Sequence, residues 1–227
     1  MLANAPTKEP FDKLPRVGLA VRALRAPGIP YQAHIGILYR EAAESPVMLL
    51  HFPAHQKLNH EPPTLEYLWV SCSLDQINQQ VLAARLPQIF KRAVENKIPY
   101  GISFDGSYFD GEGRYTRYRP QDGLTCATFV MAVFGWLGFE VLDQSSWPIR
   151  PADEGWQTYM IKEVMEKRWK QGRAKIKAQL ALVGTAARFR PEEVVVASAT
   201  YTVRPLQFKE VEKSAEELEG QVANHSA

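Results

Sequence analysis

The chain is poor in the residues that staple small proteins. Among 227 residues there are two cysteines, Cys72 and Cys126, and neither belongs to a CxxC pair. That excludes a disulfide framework and the usual zinc-ribbon spacings, and it fits a reducing compartment. No charge sign dominates: 27 Lys and Arg stand against 25 Asp and Glu, a net +2. So weak a field gives no case for nucleic acid or an anionic membrane as partner. Long hydrophobic runs are missing too. The most apolar stretch, VMAVFGWLGF at 130–139, is far short of the roughly 20 residues needed to span a bilayer. The N-terminus, MLANAPTKEPFDKLP, lacks the charged-then-apolar pattern of a signal peptide. A cytoplasmic protein without a membrane span is the expectation, with signal-free export as an effector left open. No internal repeat is visible.

What the chain does have is enough apolar residue, 45%, for one substantial core. RVGLAVRAL, AHIGILYR, VMLLHF and LEYLWVSC are short, apolar and bounded by turn residues, and each reads as a strand. Residues 73–97 read as a helix capped by Ser73 and interrupted at Pro87. Residues 98–123 are rich in Gly, Asp and Tyr and read as a long ordered loop. A second helix follows from Cys126, stopped by Gly138. Asp153 opens a third, with Glu163–Lys167 and Glu166–Lys170 four apart, and RPEEVVVASAT has Pro and Glu where a helix begins. The expected organisation is a loose lead-in at 1–15, an α+β catalytic domain at 16–150, a helical extension at 151–208 packed on it, and a polar tail at 209–227, helical but exposed and fraying. HQKLNHEPP reads as a loop, with His55 and His60 at the surface.

Three residues suggest chemistry. In DGLTCATFV the thiol of Cys126 falls at a helix start, where free N–H groups and the helix dipole favour a thiolate. Asp122 and Thr125 read as caps. Phe129, Val130, Val133, Phe134 and Leu137 follow at helical spacing as a core stripe. On the first His-bearing strand, His34 shares a face with Gly36 and Leu38. On the next, His51 shares one with Val47 and Leu49. A hairpin turning between Ala42 and Ala43 sets Tyr39 opposite Pro46 and His34 opposite His51, making the imidazoles neighbours. Three readings compete. Cys126 is a buried hydrophobe and the histidines are structural; the trio is a zinc site, though without close ligand spacing; or Cys126 is a nucleophile with His34 and His51 as its base and orienter.

The order of these pieces, HIGILYR, then VMLLHF, then a long loop, then LTCATFV, resembles the circularly permuted papain-like (NlpC-type) hydrolases, among them YiiX-like amidases and the lecithin:retinol acyltransferase group. Their first strand reads roughly H-x-G-I-Y, and their nucleophile helix opens with x-C-[S/E]-x-[F/L]-V. IPYGISFDG is also similar to the PYD-x-x-F stretch that often precedes the cysteine. The likeness covers about residues 30–140. It departs at Gly101, where Asp is common, and at Ala127–Thr128. The resemblance implies an antiparallel sheet packed on the nucleophile helix and a Cys126–His34–His51 triad acting through a thioester, with no cofactor and no metal. Its substrate is then a peptide, an amide or an acyl group. The second oxyanion donor, beside the amide of Cys126, is sought among Tyr100, Tyr115, Tyr118 and Gln121. Amide hydrolysis leads; acyl transfer or thioester hydrolysis on lipid acyl groups, and a non-catalytic binding module, are the alternatives. Substrate identity, oligomeric state and the role of residues 150–227 are not legible in the sequence.

Overall fold

A computed structural model describes residues 3–24 and 31–225. The outermost residues of the lead-in and the tail, 1–2 and 226–227, lie outside it. The protein is α+β. Five strands, β1 (Val17–Leu24), β2 (Gln32–Tyr39), β3 (Met48–Ala54), β4 (Lys57–Glu61) and β5 (Leu68–Ser71), form one antiparallel sheet in the order β4-β3-β2-β1-β5. Alternation decides which side each residue serves. Val17, Leu19, Val21, Ile35, Ile37, Tyr39, Leu50 and Phe52 face the main core. Leu38, Ala20, Leu49 and Trp69 face a smaller cluster closed by Leu14.

The helices gather on the main-core side. They are α1 (Gln76–Asn96), α2 (Cys126–Trp136), α3 (Glu154–Tyr159) running on into a π-helix (Met160–Arg168), α4 (Arg173–Leu180), α5 (Pro191–Thr200) and α6 (Phe208–His225). α2 lies against β2 and β3, with Phe129 against Phe52 at 5.9 Å between ring centres. It ends as its sequence implies: Gly138 takes φ +85°, its N–H donates to Gly135 O, and Phe139 N–H donates to Phe134 O. Val194 to Ala197 of α5 are fully enclosed between α2, β1 and α6. The segment after residue 150 therefore completes the same core.

Several local expectations are corrected. HQKLNHEPP holds strand β4, turned back on β3 through Gln56 at φ +57°. His60 there meets the Tyr39 hydroxyl at 2.8 Å, and His55 is half-buried, stacked on Trp169. α1 runs through Pro87 without a break. Its cap is Asp75, whose carboxylate accepts from Ile77 N and Asn78 N, while the Ser73 hydroxyl donates to Ser198 O. The lead-in is not loose: Asn4 exchanges both main-chain bonds with Trp69 and covers the β5 edge. The tail is not a frayed exposed helix either. Val211, Ala215, Leu218 and Val222 recur at spacings of three and four and are buried against α5 and β1.

The β2–β3 register is also displaced. Met48, not Pro46, faces Tyr39, and Gly36, not His34, faces His51. The connection is wider than a tight hairpin, held by Arg40 donating to Ala43 O and Asp12 O. A shift of two keeps side-chain parity, so both histidines stay on one face. Gly36 is what makes room between them: a Cβ there lies 2.6 Å from His51 Cβ and 2.9 Å from Leu50 O. Gly36→Ala is expected to destabilise the protein by about 1–3 kcal/mol, as overpacking does. The check is the urea midpoint at unchanged m-value; an unaltered midpoint contradicts the close approach.

Candidate functional site

Thr125 caps α2. Its hydroxyl accepts from Thr128 N at 3.2 Å, and the Thr128 hydroxyl accepts from Thr125 N at 2.7 Å, so Thr128 fills the place of the usual Glu or Gln. The helical ladder begins at Phe129 N. The amides of Cys126 and Ala127 are thus first-turn donors outside that ladder. The main-chain N–H groups of Ala127 and of Ile35 in β2 lie near the Cys126 sulfur and favour its thiolate.

Asp122 does not cap the helix. Its carboxylate accepts Arg119 N at 2.8 Å and Arg119 Nη2 at 2.8 Å, and Arg117 Nη2 at 3.2 Å. Lys175 Nζ donates to its carbonyl oxygen. Asp122 therefore ties the 98–123 loop to itself and to α4. Gly101 passes so near Asp122–Gly123 that a Cβ there meets Gly123 Cα at 3.0 Å and Asp122 O at 3.1 Å. The Asp common at this place in the resembling family has no room here.

His34 lies in β2 opposite Arg22 of β1, on the face turned away from α2. Cys126 and His34 still line one cavity of about 250 Å³. They come together because the β2–β3 pairing stops at Gly36–His51, while β2 extends back to Gln32. Along 32–35 the outer edge of β2 has no strand partner among the described residues, and the Ile35 amide there lies close enough to Cys126 to influence its thiol. No hydrogen bond joins the Cys126 sulfur to His34 among the described residues.

His34 Nε2 is 2.7 Å from His51 Nδ1, with ring centres 5.0 Å apart and planes at 70°. His51 Nε2 is 3.0 Å from Glu61 Oε1, a carboxylate the sequence reading did not single out. An ionised carboxylate only accepts, so it assigns the direction of the chain. His51 donates from Nε2 to Glu61 and accepts at Nδ1 from His34 Nε2–H. The remaining His34 nitrogen, Nδ1, then carries the lone pair.

Cys126 and His34 both rest neutral. Burial, then His51 and Arg22, push the His34 pKa from 6.5 down to about 3. Burial pushes the Cys126 thiol up to about 11, against the Ile35 and Ala127 amides that favour the thiolate. The helix-start effect that predicts a lowered thiol is outweighed by desolvation. Cys72, also buried, is likewise raised to about 11 by burial.

Of the four oxyanion candidates, only Tyr100 lines the cavity, buried between Phe52 and Trp169. Burial raises its hydroxyl pKa, so it stays protonated. Tyr115 packs among Tyr108, Phe109 and Tyr118, away from the cavity. Tyr118 is exposed and donates to Tyr115 O. Gln121 uses its carbonyl to accept from Ser103 and Gln179. These three serve the loop. The other cavity walls include Trp156, Tyr159, Met160, Trp169 and Arg188, from the segment the sequence left without a role. No group of three or more His, Cys, Asp or Glu among the described residues is arranged to hold a metal ion, and no described helix is long and apolar enough to cross a membrane. Comparisons with family models, with curated proteins and with solved structures return no match.

Two outcomes follow from the neutral pair. An unfolded His34 takes up a proton near pH 6.5, whereas the folded one does not until about pH 3. Its contribution to stability is complete above pH 6.5 and declines as pH falls toward 3. Replacing His34 with Asn should remove one proton from the pH dependence, about 1.4 kcal/mol per pH unit in that window. Urea titrations of both proteins between pH 4 and 6 measure it, and parallel curves contradict a depressed pKa. Iodoacetamide should label Cys126 faster than Cys72 because Cys126 reaches a cavity, not because it is more acidic. Both rates should climb about tenfold per pH unit from 7 to 10, as thiols titrating near 11 require. A Cys126 rate that is flat above pH 7 contradicts the raised thiol.

Proposed function

We propose that the protein is a cysteine-dependent hydrolase of amide bonds, built as a circularly permuted papain-like fold. The observation that carries the reading is one cavity lined by both a thiol at a helix start and a histidine whose Nε2 is anchored through His51 to Glu61. In this reading Cys126 Sγ attacks the carbonyl carbon as its proton passes to His34 Nδ1. The new imidazolium is stabilised by His51, which the Glu61 carboxylate holds. The first-turn amide of Cys126 donates to the oxyanion, with the Tyr100 hydroxyl beside it. Collapse of the tetrahedral intermediate breaks the C–N bond, and the His34 proton leaves with the amine. Water, deprotonated by His34, then cleaves the thioester and regenerates the thiol. Because the resting pair is neutral, thiol ionisation accompanies attack and does not precede it.

A second reading, hydrolysis or transfer of an acyl group from a thioester or ester, is favoured by the apolar walls. The cavity volume, about 250 Å³, falls below the roughly 300–1,000 Å³ of sites for drug-sized ligands, so this reading is confined to short acyl groups. A panel of fluorogenic amides and short-chain thioesters separates the two. Cys126→Ala is expected to abolish turnover, and His34→Ala to lower kcat by about 10²–10⁴. His51→Ala should lower it less, and Glu61→Gln least, since Glu61 is half exposed and acts only through His51. Turnover that survives Cys126→Ala sinks the nucleophile assignment. A Glu61→Gln loss as large as that of His34→Ala contradicts the order of the chain.

A further inference from the structure

Neither attack by a thiol nor proton transfer through two imidazoles calls for a cation, yet two arginines, Arg168 and Arg188, line the Cys126 cavity. Arg188 is only 14% exposed and lies 3.9 Å over the Trp156 ring. Its carboxylate partner is Asp153, reached through Nη1 at 3.2 Å. That carboxylate is shared. Arg150 Nε and Arg190 Nη2 bond it at 2.8 and 2.9 Å. Arg150 has a second partner in Glu193, whereas Arg188 has no second ion pair among the described residues. Glu192 lies near enough to be felt by Arg188, but burial raises its pKa, and its Oε1 takes the Tyr31 hydroxyl at 2.8 Å. Burial lowers the Arg188 pKa against the pull of Asp153, as expected of a desolvated cation short of counter-charge.

Arg168 ends the π-helix. The i→i+5 bonding of that helix widens each turn, so residues four apart stay close to one face. Met160, Val164 and Arg168 accordingly line the cavity together. Lys167, one residue earlier, is paired with Glu163 and takes no part in the cavity. Arg168 has no ion pair among the described residues. The two arginines thus share the cavity with Trp156, Tyr159, Met160 and Trp169, a short apolar slot whose positive charge is only partly compensated.

We infer that the part of the substrate seated in this cavity is a short apolar stem ending in a carboxylate, which Arg168 and Arg188 bind. The inference rests on the hydrolase reading for the position of the scissile bond, but charge selectivity is measurable without turnover. Guanidinium forks match carboxylates in geometry, and the low dielectric around buried Arg188 strengthens the pairing there.

The test is calorimetric binding to the Cys126→Ala protein of two matched esters, monomethyl adipate and methyl hexanoate, which differ by the terminal carboxylate. The anion should bind at least about tenfold more tightly at low salt, with the margin shrinking as salt screens the exposed Arg168. Arg168→Gln should cut that margin about fivefold or more, and Lys167→Gln, a cation outside the cavity, should leave it. Equal affinity for the two esters, no binding of either, or equal losses from the two charge deletions overturns the inference. Turnover of the corresponding p-nitrophenyl esters by the Cys126 protein is a separate readout. Anion-selective binding without Cys126-dependent turnover upholds the charge preference and sinks the hydrolase reading.

Discussion

The ladder between β2 and β3 stops at Gly36 and His51, and the rest of the site depends on that early stop. Had the pairing continued to Gln32, the Ile35 amide would be spent on β3 and the edge of the sheet would be sealed. Side-chain alternation would then hold His34 on one face and α2 on the other. Because the pairing with β3 ends at His51, the Ile35 amide has no β3 partner and a slot remains at the beginning of β2 among the described residues. The Cys126 sulfur lies by that amide, and the cavity joins what the sheet would otherwise divide. Gly36 is part of the same solution, since its missing side chain lets His51 come close enough to meet His34 diagonally.

Desolvation dominates the electrostatics. A helix start and two amide donors favour a thiolate at Cys126, and a carboxylate at the end of a two-histidine chain favours a proton on the imidazoles. Burial outweighs both, so thiol and His34 are held neutral. The same physics acts on Arg188, where a cation without a proton to lose easily stays charged and short of partners. The cavity therefore contrasts two groups kept uncharged with two arginines that are not, on walls that include several aromatic rings.

Strands β1, β2, β3 and β5, helix α2 with its Thr125 start and Gly138 stop, and the start of α5 were legible because each is announced by local chemistry: period-two alternation, a cap, a positive-φ glycine, a Pro at the first turn. β4 was not. Five residues reading KLNHE, next to two prolines, carry too little apolar pattern to mark a strand, and with β4 went Glu61. The turn at Gln56 takes a left-handed conformation with none of the usual glycine or asparagine signal. Pro87 misled in the other direction, because the packing of Leu82, Leu86 and Ile89 holds α1 together through it.

The amino-acid sequence by itself determined the alternation that puts His34 and His51 on one face, the helix start that presents Cys126, and the apolar stripe that anchors α2. Each of these depends only on residues a few positions apart. The tertiary structure alone decided the register that pairs His51 with Gly36, the slot that admits the sulfur, the link through Glu61, and the aromatic and arginine walls brought from residues 156–189. These turn on where distant segments end against one another, and burial, set by that packing, overrode the local preference of Cys126 for its thiolate.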